Sequence, residues 1–265
     1  MTGHILKLMS YYLLYKAIIQ IGLTQPYNLL FLEVEKLNKR KDEFIGMASH
    51  ELKNPVTSTK AYAQLLTRNL QKAGDFENAE MANKINTQVN IITNLINELL
   101  DVSKIEAGKL AFDLAEFSLD EVIAQTVKDF QLTVERTEIV LRGKAGINLF
   151  GNKERIRQVI VNFLANAVKY SSKGKKVILK VTKENRYVVV GVQDFGIGIP
   201  KDKQKHIFKK YYRTENGERK AEGMGLGLYI CHEIIKMHNG KTWLESKEGK
   251  GSTFYFALPL SQQKA

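Results

Sequence analysis

The sequence is poor in cysteine and proline: it has one cysteine, Cys231, and four prolines among 265 residues. A single thiol cannot form an intramolecular disulfide framework or a cysteine-rich metal site, so a reducing compartment is the simplest environment for the chain. Internal repeats and low-complexity tracts are also missing from the sequence. The hydrophobic content of 44% and charged content of 26% are those of an ordinary globular protein with one large or two modest domains.

The formal net charge of +12 raises the question of nucleic-acid binding. The lysines are scattered, however, with local clusters at 36–41, 173–176 and 201–210, and no aromatic residues interleave with them in a basic motif. We therefore expect no nucleic-acid partner. Attraction to anionic phospholipid or to an acidic partner protein is the better use of this charge.

The N-terminal segment 5–23, "ILKLMSYYLLYKAIIQIGL", is almost wholly apolar and is interrupted only by Lys7 and Lys16. A bilayer-spanning helix needs roughly 20 apolar residues, and a central lysine costs about 2.5–3.5 kcal/mol. No small-residue cleavage site follows, so the segment is not a signal peptide. Residues 1–28 are predicted to be membrane-associated or a last transmembrane helix; a buried or interfacial helix is the alternative.

Two long helical patterns follow. The first runs from about 29 to 70, and the second ends near 106, with Ile85, Ile92 and Leu99 seven residues apart. The segment "QKAGDFEN" supplies the turn between them. A helical hairpin alone cannot bury both apolar stripes, so we expect it to pair with a second copy in a dimeric four-helix bundle. Residues 29–43 are a helical linker and 44–108 the dimerisation region.

The second half has a different pattern, and residues 115–260 are predicted to form a mixed α/β domain. The stretch "KVILKVTKENRYVVVGVQDF" alternates and turns at 184–185, which indicates a β-hairpin, and "GSTFYFALPL" indicates another strand. Helical patterns cover 118–132, 153–170 and 225–238. The expected fold class is therefore α plus α/β.

Three clusters in this domain point to a nucleotide. "DFGIGIP" (194–200) follows a strand and has glycines that let a base or phosphate approach the backbone. "GMGLGL" (223–228) opens a helix whose free N–H groups suit a phosphate. In "NFLANAVKYS" (162–171), Asn162 and Asn166 share one helix face and could hold Mg²⁺. Each cluster alone could be structural; their combination favours a nucleotide site.

With "SHELKNP" (49–55) in the first long helix and "IFKKYYR" (207–213) between the glycine motifs, five motifs stand in order. They resemble the H, N, G1, F and G2 boxes of bacterial sensor histidine kinases, over about residues 35–260. The resemblance implies a dimerisation and phosphoacceptor hairpin followed by a Bergerat (GHKL) ATP-binding sandwich. The first 30 residues resemble, more loosely, the end of a membrane-embedded sensory module.

The resemblance assigns roles within the N and G1 boxes. Asn162 and Asn166 would bind Mg²⁺ and phosphate, and Lys169 would contact phosphate. Tyr170 would border the adenine, and Asp194 would accept a hydrogen bond from its amino group. ATP and Mg²⁺ are the implied cofactors.

The remaining ATP-binding assignments fall on the glycines and the F box. Gly196 and Gly198 would shape the base pocket, and the phosphates would be framed by Gly223, Gly225 and Gly227. Residues 214–223 would be the mobile lid. Arg213 matches the usual F-box arginine, whereas Lys210 stands where the family often has arginine, keeping the charge but losing the bidentate fork.

His50 is the predicted phosphoacceptor, because a neutral imidazole is a competent nucleophile near pH 7 and helical geometry places it opposite the apolar stripe. Glu51 would hold or receive the imidazole proton, and the resemblance gives Asn54 a role in positioning water for phosphatase activity. Pro55 removes a helical N–H donor, so we expect a bend just beyond His50 that could control access to it.

The implied function is autophosphorylation of His50 followed by transfer to an aspartate of a response regulator receiver domain on another chain. The catalytic region would be cytoplasmic and attached to the bacterial cytoplasmic membrane. Two alternatives stay open: a GHKL ATPase like DNA gyrase or heat-shock chaperones, and a phosphatase-biased scaffold without autokinase activity. "HELKNP" argues against the first, and the intact motifs argue against the second.

Overall fold

The computed structural model describes residues 2–19, 22, 25–110, 113–135, 137–171, 176–213 and 223–260. The chain divides into two compact units, Met1–Ile96 and Asn97–Ala265. The division falls inside a long helix, so the last turns of that helix belong to the second unit. The expected order, a helical region followed by an α/β domain, is confirmed.

The first unit is helical. It contains α1 (Thr2–Ile19), α2 (Gln25–Lys72) and the beginning of α3 (Phe76–Glu106). Gly74 ends the turn between α2 and α3 with φ of 78°, a conformation that glycine adopts without strain. Asp75 then caps α3, because its Oδ1 accepts a hydrogen bond of 3.2 Å from the N–H of Asn78.

Large apolar side chains remain exposed along α2 and α3, whereas the small residues Ala63, Ala79 and Ala82 are buried. The exposed ones include Leu37, Phe44, Leu52, Leu66, Met81, Ile85 and Ile92. Ile85 and Ile92 belong to the predicted seven-residue repeat of α3. A single copy of the hairpin therefore leaves much of its apolar surface in water.

Helix α2 continues through Pro55 without a break. Hydroxyl groups in the following turn donate to nearby carbonyls, with Thr57 Oγ1 at 2.7 Å from the oxygen of Lys53 and Thr59 Oγ1 at 2.8 Å from that of Pro55. The carbonyl of Glu51 loses its usual helical donor, since proline has no N–H. The proposed hinge at Pro55 stays a prediction.

In α1 the apolar side chains are exposed as well, including Tyr11, Leu13 and Tyr15. Within the described part of the chain, no helix reaches the combination of length and apolar character that crossing a membrane requires.

The second unit is an α/β sandwich. Its main sheet has the strand order β2-β4-β5-β7-β6, in which β2 and β4 are parallel and the other pairs antiparallel. The five strands are β2 (Ile139–Arg142), β4 (Val177–Glu184), β5 (Tyr187–Gln193), β6 (Lys241–Lys247) and β7 (Gly251–Pro259). A separate two-stranded ribbon pairs β1 (Ala115–Ser118) with β3 (Asn148–Gly151).

Within the described residues, four helices accompany the strands: α4 (Leu119–Gln131), α5 (Lys153–Tyr170), the short α6 (Lys201–Gln204) and α7 (Gly227–Met237). The core joins α4, α5 and α7 to one face of the sheet, and Phe163 of α5 lies 5.7 and 6.1 Å, between ring centroids, from Phe254 and Phe256 of β7. This packing fixes α5 over the sheet and aligns its polar face with the loops after β5 and before α7.

His238, directly after α7, ties two parts of this layer together. The residue is 3% exposed. Its Nε2 accepts a hydrogen bond of 3.0 Å from the backbone N–H of Asn152, the cap of α5, and its Nδ1 lies 2.8 Å from the oxygen of Ile234. The start of α5 and the end of α7 are therefore linked through one imidazole. No sequence motif predicted this contact.

Candidate nucleotide-binding site

One pocket of the second unit lies between α5 and the glycine loops. Its lining includes most of the residues assigned to ATP from the sequence, namely Asn162, Asn166, Lys169, Tyr170, Asp194, Gly198, Arg213, Gly223, Gly225 and Gly227. These residues span the N box, both glycine motifs and the end of the F box. The fold thus brings four separate sequence segments to one cavity.

The two asparagines of α5 are ordered against each other. Asn166 Nδ2 donates a hydrogen bond of 2.9 Å to Asn162 Oδ1, as expected for side chains four residues apart on one helix face. A Cβ on Gly227 would overlap the amide of Asn162, so the first residue of α7 must be small for the two helices to approach this closely. The pair therefore sits beside the N-terminus of α7, whose N–H groups favour an anion.

Asp194 lies at the end of β5 and is 3% exposed. Its Oδ1 accepts a hydrogen bond of 2.8 Å from the N–H of Gly196. Burial raises the pKa of this carboxyl above its ordinary value, while hydrogen bonds from the backbone at Gly196 and Ser252 oppose the rise. The result is a buried acceptor held in a fixed orientation by the loop that follows it.

The glycine loop after β5 depends on the absence of side chains. Gly198 has φ of 69°, and a Cβ there would overlap the carbonyl oxygen of Lys247. A Cβ on Gly196 would likewise overlap the carbonyl oxygen of Tyr170. The loop can therefore pass between the end of α5 and the β6–β7 turn only because both residues are glycine.

The aromatic and basic residues at the end of α5 also face the pocket. The Lys169 ammonium is 5.8 Å from the centroid of the Tyr170 ring. Burial raises the pKa of the Tyr170 hydroxyl, and the charge of Arg213 partly offsets this. Both cations line the same cavity, so it has the positive charge that phosphate groups require.

Lys210 does not line this pocket. Its ammonium forms an ion pair with Glu106 at the end of α3 and lies 4.8 Å from the centroid of the Tyr229 ring. The hydrogen bond to Glu106 raises the pKa of Lys210 above its ordinary value. Of the two F-box residues assigned to ATP, Arg213 lines the cavity and Lys210 does not.

Several lining residues were missed by the sequence analysis. Ser252 and Phe254 come from β7, and the alternation of that strand could have identified them. Glu98 comes from α3 and also lines the pocket. No local pattern in the sequence indicates that the last turns of α3, which belong to the second unit, reach the nucleotide site.

The predicted phosphoacceptor region belongs to the first unit. His50, Glu51 and Asn54 all lie on α2, and the side chains of Glu51 and Asn54 are exposed. The His50 side chain and lid residues 214–222 lie outside the described residues, so their predicted positions stay predictions.

Comparison with known proteins gives two family matches. Residues 40–108 match the His Kinase A (phospho-acceptor) domain, and residues 151–262 match the histidine kinase-, DNA gyrase B- and HSP90-like ATPase domain. The two matches coincide with the hairpin carrying "SHELKNP" and with the sandwich carrying the pocket.

Individual relatives agree with these matches. The chain is 31% identical to the sensor histidine kinase WalK of Bacillus subtilis over 88% of this chain and 39% of WalK. It is 34% identical to the adaptive-response sensory kinase SasA of Thermosynechococcus vestitus over 83% of this chain and 60% of SasA. It therefore spans less than two thirds of the length of either relative.

A solved structure shares the fold. Full-length ShkA in complex with AMPPNP matches with a TM-score of 0.67 at 22% identity, covering 84% of this chain and 47% of that one. At this identity the likeness concerns the fold. Together, the two domain matches, the relatives and the order of the five motifs lead to one conclusion. The chain belongs to the sensor histidine kinases of two-component systems.

Proposed function

We propose that this chain is an ATP-dependent protein histidine kinase that autophosphorylates His50 and passes the phosphoryl group to an aspartate of a separate response regulator. The observation that carries the proposal is the pocket itself. It gathers the asparagine pair, the buried Asp194 and the glycine loops in a chain whose helical hairpin contains "SHELKNP".

In the proposed site, Asp194 accepts a hydrogen bond from the adenine amino group, and Gly196 and Gly198 leave room for the base. Tyr170 borders the adenine. The orientation of Asp194 by the Gly196 N–H supports this role, because a preset acceptor loses little entropy on binding. The close approach of Gly198 to the carbonyl of Lys247 holds this loop in place beside the cavity.

In this proposal the phosphates lie beside Lys169, Arg213 and the glycine loop before α7. Lys169 and Arg213 neutralise them, while Gly223, Gly225 and Gly227 leave backbone N–H groups accessible near the start of α7. Asn162 and Asn166 would hold Mg²⁺. Their neutral amide oxygens fit this metal, which favours oxygen ligands and completes its shell with phosphate oxygens and water. When bound, Mg²⁺ would neutralise charge on the phosphates.

The phosphoryl transfer is an in-line displacement. An imidazole nitrogen of His50 attacks the γ-phosphorus, an N–P bond forms, and the bond to the bridging oxygen breaks so that ADP leaves. Glu51 takes up the proton that the imidazole carries on its other nitrogen, or holds that proton in a hydrogen bond. The phosphohistidine then gives its phosphoryl group to the regulator's aspartate: the N–P bond breaks, an O–P bond forms, and the proton returns from Glu51 to restore the neutral imidazole.

A second copy of the chain and a response regulator are the proposed partners. The exposed stripe on α2 and α3 supports homodimerisation into a four-helix bundle, since burying it would remove much apolar surface from water. The exposed Asn54, one turn beyond His50, would position water for dephosphorylation of the regulator.

Membrane attachment through α1 is part of the same proposal. Its support is the exposed apolar surface of the helix together with the net charge of +12, which favours anionic lipid. The catalytic region would then lie on the cytoplasmic side. Sedimentation with anionic vesicles measures this attachment directly, and protein that stays in the supernatant would contradict it.

The autokinase proposal is tested by labelling with [γ-³²P]ATP. We expect the wild type to incorporate label as an acid-labile, base-stable phosphoramidate. His50→Gln should lose it while still binding ATP, and His4→Gln, a change at an exposed residue of α1, should keep it.

Two other outcomes separate the alternatives. Label retained by His50→Gln would refute the assignment of the phosphoacceptor. ATP hydrolysis by the wild type without any labelled protein would favour a GHKL ATPase, and a lack of ATP binding by calorimetry would favour the scaffold.

A further inference from the structure

The end of α3 presents three carboxylates to basic side chains within the second unit. Glu98 lines the nucleotide pocket, Asp101 contacts Arg155 of α5, and Glu106 pairs with Lys210. We call residues 97–106 the acidic helix end. Of these three acids, only Glu98 reaches the cavity.

Asp101 fixes this segment against α5. Its two oxygens each lie 3.0 Å from Nη1 of Arg155, and its Oδ2 accepts a hydrogen bond of 2.8 Å from Gln158. The same Arg155 nitrogen donates to Gln158 Oε1 at 2.8 Å. The Asp101 and Arg155 side chains are only 13% and 20% exposed, so solvent weakens this contact less than it would a surface ion pair.

This contact determines where Glu98 lies. Glu98 precedes Asp101 by one helical turn, and Asn162 follows Gln158 by one turn, so Glu98 and Asn162 lie on the same side of the Asp101–Gln158 contact if the helices are antiparallel. The lining of one cavity by Glu98, Asn162 and Lys169 agrees with this geometry. The acid therefore stands where the proposed function places Mg²⁺ and the phosphates.

The electrostatics of Glu98 match this position. Burial raises the pKa of its carboxyl, the nearby Lys169 ammonium lowers it, and the charge of Asp101 adds to the rise. The Glu98 carboxylate interacts electrostatically with the Lys169 ammonium, so it competes with a phosphate for the same cation. The carboxylate also repels the negative phosphates, and this repulsion is stronger in a partly buried cavity than in bulk water.

We propose that Glu98 is an affinity-determining residue that acts as an internal competitor of the nucleotide phosphates. When the acidic helix end is docked, the Glu98 carboxylate engages the phosphate end of the pocket, and it must move away for ATP to bind. This inference rests on the proposed ATP site. It adds that the hairpin helix itself sets how tightly the pocket holds phosphate and how well it discriminates between nucleotides of different charge.

The test compares Glu98→Gln with the wild type in the 265-residue chain. Glutamine keeps the shape and removes the charge, so the affinity for ATP should rise about tenfold, that for ADP less, and that for adenosine not at all. Glu138→Gln removes the same charge at an exposed residue outside the cavity lining and should change none of the three affinities. Isothermal calorimetry with and without Mg²⁺ provides the measurement, and Trp243 fluorescence verifies that each variant is folded.

The outcomes are distinct. If the wild type binds no adenine nucleotide, the proposed function fails. If the wild type binds ATP but Glu98→Gln binds it equally or more weakly, the internal-competitor inference is refuted. A loss confined to the Mg²⁺-dependent part of the affinity would identify Glu98 as a metal ligand instead, and equal gains for ATP and adenosine would indicate a general loosening of the pocket.

Discussion

Replacing His238 with phenylalanine should destabilise the second unit in a pH-dependent way. Phenylalanine fills a similar volume but offers no acceptor to the N–H of Asn152, which lies 3.0 Å from Nε2 of His238. The carbonyl of Ile234 keeps a partner, because the backbone N–H of residue 238 also donates to it at 3.2 Å. The loss is the acceptor of one partly buried donor, which costs about 1 kcal/mol of unfolding free energy.

The pH dependence follows from the neutral form of the native imidazole. Protonation of Nε2 would remove the acceptor for Asn152, and burial lowers the pKa of His238 below its ordinary value. Below about pH 6.5 the unfolded chain therefore binds a proton that the native chain does not, and the unfolding free energy falls as pH falls. This slope reaches at most about 1.4 kcal/mol per pH unit, and His238→Phe lacks it.

Urea denaturation followed by the fluorescence of Trp243, the single tryptophan, measures both effects. The difference between wild type and His238→Phe should be largest near pH 7.5 and should shrink towards pH 5.5. His232→Phe is a suitable control, because the His232 ring is partly exposed and its Nδ1 lies 2.7 Å from the hydroxyl of Thr242, whereas His238 binds a backbone N–H. A difference that stays constant or widens as the pH falls would refute the reasoning.

Two further predictions concern the pocket. Asp194→Asn should lower the affinities for ATP and for adenosine by a similar factor, about ten- to a hundredfold, because the lost charge faces the base. An effect on the ATP affinity alone, measured by calorimetry, would contradict this. Gly198→Ala should lower the unfolding free energy by more than Gly74→Ala, since both have positive φ but only at Gly198 would the new Cβ overlap a carbonyl, that of Lys247. Equal losses in urea denaturation would mean that strain alone decides the effect.

Much of the fold was readable from the sequence because the signals are short-range. Helical periodicity predicted a helix over 153–170, and the structure has α5 at Lys153–Tyr170. The valine-rich alternation and its turn predicted the hairpin of β4 and β5, with Asn185 at φ of 50° in the turn. Strands β1, β2 and β3 were not predicted, since four residues are too few to establish a period.

Part of the pocket lining was also predictable from short-range signals in the sequence. The spacing of Asn162 and Asn166 places them on one helix face in any fold that keeps the helix, and positive φ together with close backbone approach makes glycine necessary at Gly198. The order of the motifs then identified the family. For these residues, local geometry and chemistry carried the information.

Only the tertiary structure decided the contacts between segments that are distant in the sequence. Lys210 and Arg213 were both assigned to ATP from the sequence, yet Arg213 lines the cavity and Lys210 pairs with Glu106. Glu98 and His238 belong to no motif. Their positions come from the contact of the end of α3 with α5 and of the end of α7 with the start of α5. Local propensities fix each helix and loop, whereas the position of one element against another depends on the burial of shared surface, which no short segment encodes alone.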